Sequence, residues 1–215
     1  MREPTLPICP QGHCKYTMEA EFKELRPFVY QFRLIDMPFT LADILNEVNS
    51  YDWKTWRDVN GSRYKESHPS NFGPIVSNLR NFFVSNEFQD QLLTTISCRP
   101  EFFGSYWRDD QTLFKNKLTP IFECDMDIPG FQMSPHLDDR GLVIVGMCHF
   151  IAEDDPDQSS TFYTTESGTD PLRMPTGFGQ GWVNANLHNT WHSGHNLSNQ
   201  NRFSIKFGTR INFKN

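Results

Sequence analysis

The chain has 215 residues, a formal net charge of -6 and a hydrophobic content of 37% that includes 19 Phe and 5 Trp. That length and aromatic content exclude a disordered chain and suit one domain, residues 1–215, with a substantial core. The acidic balance offers no broad cationic surface for a phosphate backbone, so no nucleic-acid partner is expected.

The cysteines, Cys9, Cys14, Cys98, Cys124 and Cys148, are odd in number and scattered, which argues against a disulfide framework and for a reducing, cytoplasmic location. Cys9, His13 and Cys14 look like half of a metal site, but no downstream pair completes it, and the segment reads as an N-terminal arm. The start MREPTLPICPQ has no apolar export core, and nowhere do about 18 apolar residues run together, so neither export nor a membrane partner is expected.

In chain order, the N-terminal segment to residue 119 reads as a mainly helical layer. Thr40 precedes the stripe Leu41, Ile44, Leu45, Val48, with Asp43 at the third helical position, the pattern of a capped amphipathic helix. A second stripe is Val76, Leu79, Phe83. A third, after Ser85, runs through Phe88, Leu92, Leu93 and Ile96 and stops before Pro100. Residues 51–74 read mostly as loop. From about residue 120 the texture changes to short apolar runs separated by turn residues: IFECDM, GLVIVGMCHFIA, TFYTT, GWVNAN and RFSIKFGTRINF. These are strand signals, and a succession of short strands without intervening helices points to a sandwich or jelly-roll core over residues 120–215. The DDPDQSS stretch reads as a polar, solvated loop between strands.

In SPHLDD, His136 and Asp138 are spaced i, i+2, so on an extended segment both side chains leave the same face and can share one metal ion. Asp139 falls on the opposite face and is the poorer ligand. A third ligand must come from a distant strand, and His149, His188, His192 and His195 are candidates. His192 lies in NTWHSG directly after the strand-like GWVNAN, and Arg202 follows in RFSIK on what should be the next strand.

Taken together, HLD, then WHSG, then RFS resembles the HxD...H...RxS signature of the Fe(II)/2-oxoglutarate-dependent oxygenases, with prolyl-hydroxylase-like members the nearest in strand order. The resemblance covers roughly residues 120–212. It implies an α+β fold, a double-stranded β-helix (jelly-roll) barrel with N-terminal packing helices, and a metal held by His136, Asp138 and His192. Two imidazoles and one carboxylate leave open positions on an octahedral ion, as in non-haem iron oxygenases, whereas a structural zinc site would close its shell. By the same resemblance the cofactors are Fe(II), 2-oxoglutarate as co-substrate and dioxygen, with room for ascorbate, and the reaction is oxidative decarboxylation coupled to hydroxylation. Arg202 would hold the distal carboxylate of 2-oxoglutarate through its planar, permanently charged fork, and Ser204, on the same strand face, would add a hydroxyl.

Two positions depart from the pattern. His149 stands where relatives often carry a co-substrate-binding tyrosine, and Ile128 stands before Pro129 and Gly130 where they often carry another, so a proline substrate does not carry over. A protein side chain and a small molecule both remain open as substrate. The alternative to an enzyme is a non-catalytic jelly-roll that binds metal or serves a structural role.

Overall fold

Helix α1 (Leu41–Val48) begins where the Thr40 hydroxyl accepts from Asp43 N at 3.2 Å and the Asp43 carboxylate accepts from Thr40 N at 2.9 Å, satisfying donors that a helix start leaves unpaired. Glu47 of α1 then caps α2 (Pro74–Phe83), accepting from Ile75 N at 2.8 Å and Val76 N at 2.9 Å. A carboxylate at a helix N-terminus is favoured by the helix dipole as well as by its hydrogen bonds, and this one joins two helices into a layer. Helix α3 (Asn86–Ser97) completes that layer. The computed structural model describes residues 18–57, 62–66, 72–97, 118–139 and 141–211. Cys9, His13, Cys14 and Cys98 lie outside the described residues.

Twelve strands among the described residues form two sheets. In chain order they are β1 (Glu19–Arg26), β2 (Val29–Ile35), β3 (Lys54–Arg57), β4 (Ser62–Glu66), β5 (Leu118–Asp127), β6 (Phe131–His136), β7 (Leu142–Phe150), β8 (Ser160–Tyr163), β9 (Leu172–Met174), β10 (Gln180–Ala185), β11 (Trp191–Asn196) and β12 (Arg202–Ile211). The larger sheet has the order β1-β2-β10-β7-β12-β5-β4-β3 and the smaller β6-β11-β8-β9. All the pairings are antiparallel. Facing antiparallel sheets of this kind form the jelly-roll expected from residue 120 onward.

The N-terminal half is less helical than its sequence suggests. β1 and β2 add to the large sheet beside β10, and β3 and β4 extend its other edge from the stretch expected to be mostly loop. In β1 and β2 apolar residues such as Ala20, Phe32 and Leu34 alternate with charged ones, a period of two that the neighbouring helical stripes mask.

β12 shows how the layers share one strand. Its outward residues Phe203, Ile205 and Phe207 are fully buried in the same core as Ile44, Val76, Leu79, Phe83, Leu92 and Ile96 of the helices. The Phe83 and Phe207 rings stack at 4.5 Å between centroids. Phe207 also lies across Gly146 of β7, its cross-strand partner, where an added Cβ would fall 2.4 Å from the ring. The inward residues Arg202, Ser204 and Lys206 enter the barrel. Leu45 packs on the same core but is only partly buried. Because Phe83 is fully buried in this interface, Phe83→Ala should lower unfolding free energy by about 3 to 5 kcal/mol in urea titrations. A loss under about 1 kcal/mol would mean that the helices are not coupled to the barrel.

Candidate metal centre

His136 ends β6 and faces His192 directly across the β6–β11 pairing, so the sheet register sets their separation. The two ring centroids are 4.5 Å apart. Asp138 lies just past the strand end, in a loop held by Asn186, whose side-chain amide donates to the carbonyls of Asp138, Asp139 and Leu142 at 3.0 to 3.2 Å. One donor atom from each of His136, Asp138 and His192 lies within 4.8 Å of the others. The structure thus brings together the three residues singled out in the sequence. Asp139 stays out of the cluster, its carboxylate accepting from Gly141 N at 3.0 Å in the turn. His188 is exposed, and the His195 ring lies 2.8 Å from the Pro156 carbonyl.

Hydrogen bonding orients both imidazoles. Nδ1 of His136 lies 3.0 Å from the Ser134 carbonyl and Nδ1 of His192 lies 3.3 Å from the Thr190 carbonyl. A carbonyl only accepts, so each Nδ1 carries the proton, which leaves Nε2 as the coordinating atom. The His192 ring is also wedged between Phe162, stacked at 5.2 Å, and Trp182 at 5.0 Å.

Electrostatics favour a cation here. His192 Nε2 and Asp138 Oδ2 face each other at 3.3 Å, and Oδ2 is buried without a hydrogen-bond partner among the described residues. Two lone pairs at that distance need a proton or a metal ion between them, and roughly 3 Å is the spacing of neighbouring donors on one transition-metal ion. Burial pushes His136 below the ordinary imidazole value, aided by His192, so it is a neutral donor near pH 7. For Asp138, burial alone would raise the pKa, but His192 and the Lys206 ammonium beside it hold the carboxyl well below the usual range. The donor set and its protonation fit a divalent ion.

Around these ligands lies a cavity of about 230 Å³, lined among others by Asp125, Met133, Trp182, Gly194, Arg202 and Lys206. Lys206 Nζ reaches Asp138 Oδ1 at 2.7 Å. Lys206 lies outside the sequence motif, although its i, i+4 spacing from Arg202 on a strand places both on one face.

Arg202 sits at this cavity, 1% exposed, but its guanidinium already has protein partners. Nε and Nη2 donate to Asp127 Oδ2 at 3.1 and 2.6 Å, and Nη1 donates to the carbonyls of Gln158 at 2.8 Å and His195 at 3.0 Å. Asp127 is its cross-strand partner on β5 and is fully buried. The Gln158 carbonyl belongs to the DDPDQSS stretch, so that segment does more than meet solvent. Its Asp154 pairs with Arg173 through both guanidinium nitrogens, which hold the Asp154 carboxyl well below its usual range. Ser204 Oγ lies 2.9 Å from His149 Nδ1, and both residues are fully buried.

No protein-family model and no curated protein matches the sequence. Solved structures do match in fold. The non-haem α-ketoglutarate-dependent epimerase SnoN from nogalamycin biosynthesis aligns at TM-score 0.58 and 12% identity, over 86% of this chain and 79% of that one. A 2OG-Fe(II) oxygenase family oxidoreductase from Burkholderia pseudomallei aligns at 0.56 and 10%, over 87% and 89%. A prolyl hydroxylase from Trichoplax adhaerens, in complex with a hypoxia inducible factor peptide fragment, aligns at 0.56 and 11%, over 80% and 76%. With its antiparallel jelly-roll and helical layer, the chain has the fold of these 2-oxoglutarate-dependent oxygenase structures.

Proposed function

We propose that the chain is an oxygenase that couples oxidative decarboxylation of 2-oxoglutarate to hydroxylation of a substrate at a non-haem Fe(II) ion. The observation that carries this reading is the convergence of two imidazoles and one carboxylate beside a cavity that also contains a guanidinium. Three protein ligands leave positions open, as a site for ligand exchange requires. When bound, Fe(II) would supply redox chemistry with dioxygen, and 2-oxoglutarate the electrons for it.

The residues of this chain do the positioning. His136 and His192 would present Nε2 to the ion, each held by a backbone carbonyl, and Asp138 would supply the anionic ligand with Lys206 bonded to its second oxygen. Arg202 is assigned to the distal carboxylate of 2-oxoglutarate. The Asp127 contact uses one of the two hydrogens on Nη2, and Gly194, with no side chain, leaves the approach to that nitrogen open. Ser204 is the second contact: in the His149 tautomer that carries its proton on Nδ1, the Ser204 hydroxyl proton remains to be given to a carboxylate. Neighbours that act on different substrates, one of them bound to a peptide, keep both protein side chains and small molecules in view.

Purified protein given Fe(II), 2-oxoglutarate and dioxygen should form succinate, and the Zn(II)-loaded protein should not. Asp138→Ala should abolish succinate formation and weaken metal binding, since it removes the only anionic ligand and leaves two neutral ones. Succinate formation by Asp138→Ala at the parental rate would sink the metal assignment.

Arg202→Lys should raise the 2-oxoglutarate Kd by about three- to eight-fold while leaving the metal Kd within about two-fold, because a lysine keeps the charge opposite Asp127 but loses the fork. Arg202→Ala should in addition cost about 3 to 5 kcal/mol of fold stability, since it removes one partner of a buried ion pair. Titrating first metal and then 2-oxoglutarate separates these effects. An unchanged 2-oxoglutarate Kd in Arg202→Lys would assign the anchor elsewhere.

A further inference from the structure

We infer, resting on the oxygenase reading above, that Asp127 is a built-in competitor for Arg202 that weakens the hold of the site on the co-substrate's distal carboxylate.

A guanidinium has five N–H groups. Nε and one Nη2 hydrogen of Arg202 go to Asp127, and both Nη1 hydrogens go to the carbonyls of Gln158 and His195. One Nη2 hydrogen is left, on the side where a Gly194 Cβ would lie 3.9 Å from Nη2. A carboxylate that reaches it shares a nitrogen with Asp127 Oδ2, already 2.6 Å away on the other side. The two like charges then meet where both partners of the pair are at most 2% exposed and solvent cannot screen them.

The contact geometry supports competition over a purely structural tie. Nε and Nη2 both converge on Oδ2, so this single oxygen covers the guanidinium edge that would otherwise offer two parallel bonds to an incoming carboxylate. The other cation lining the cavity among the described residues, Lys206, is likewise engaged by a protein carboxylate, Asp138. A dianionic co-substrate therefore enters a cavity in which Arg202 and Lys206 are already paired with carboxylates, and the metal ion supplies the main attraction at its keto-acid end. The consequence is a site that binds 2-oxoglutarate loosely, with occupancy that follows its concentration, and that discriminates little in favour of the distal carboxylate.

The test compares 2-oxoglutarate with 2-oxopentanoate, which has the same keto-acid end but a methyl group in place of the distal carboxylate. Both are titrated by calorimetry into Ni(II)-loaded protein, parent and Asp127→Asn, with metal affinity measured separately. Asparagine keeps the shape and an acceptor oxygen for Arg202 while removing the charge. The parent should prefer 2-oxoglutarate by less than about ten-fold, and Asp127→Asn should tighten 2-oxoglutarate by about ten-fold or more while leaving 2-oxopentanoate within about two-fold. A purely structural Asp127 predicts the opposite sign or no change in that ratio, and either result overturns the inference. A parental preference above about a hundred-fold overturns it without any variant. If neither keto acid binds the Ni(II)-loaded parent, the oxygenase reading itself fails, and this inference with it.

Discussion

The alternation of β12 is the constraint on which both halves of the structure depend. Successive side chains of a strand leave opposite faces, so one segment, RFSIKF, must satisfy an aromatic layer outside and a charged cavity inside. Phe203, Ile205 and Phe207 lock the strand against the helices, and that packing fixes the depth at which Arg202, Ser204 and Lys206 enter the barrel. A slip of one residue would put the phenylalanines into the cavity and the charges into the helical core. The strand is paired on both sides, with β5 and β7, which holds this register against such a slip.

Within the barrel, two carboxylates are paired with two cations. Asp127 faces Arg202 and Asp138 faces Lys206. His136 and His192 meet Asp138 with their Nδ1 atoms turned to backbone carbonyls. Buried ion pairs gain little in net stability because desolvation opposes attraction, but removing one partner is expensive. These pairs are therefore better understood as devices that hold polar groups at set places in an apolar barrel. The surrounding rings of Phe162 and Trp182 limit how far His192 can turn, which leaves its coordinating nitrogen aimed at Asp138.

Much of this was legible in the sequence because the relevant signals are local. The Thr40 and Asp43 cap, the helical stripes and the i, i+2 spacing of His136 and Asp138 each lie within a few residues. His192 is harder, since several histidines compete, and its place after the strand-like GWVNAN together with its spacing to Arg202 in RFSIK separates it from His188 and His195. What escaped notice depends on register between distant segments. Nothing near Asp127 announces that it meets Arg202, because that contact follows from the pairing of β5 with β12. β1 and β2 were hidden for a different reason: the helical stripes that follow them dominated the reading of the N-terminal half. The acidic loop before β8 was taken as a solvated segment because its role is carried by a backbone carbonyl, that of Gln158, which side-chain composition does not encode.

The central claim is that one divalent ion sits among His136, Asp138 and His192. Crystals of the protein grown with Mn(II), measured for anomalous scattering, test it most directly. The account predicts one strong peak within bonding distance of Nε2 of both histidines and of the Asp138 carboxylate. A metal-loaded crystal whose peak lies elsewhere, with His192 still turned toward Asp138, would contradict it.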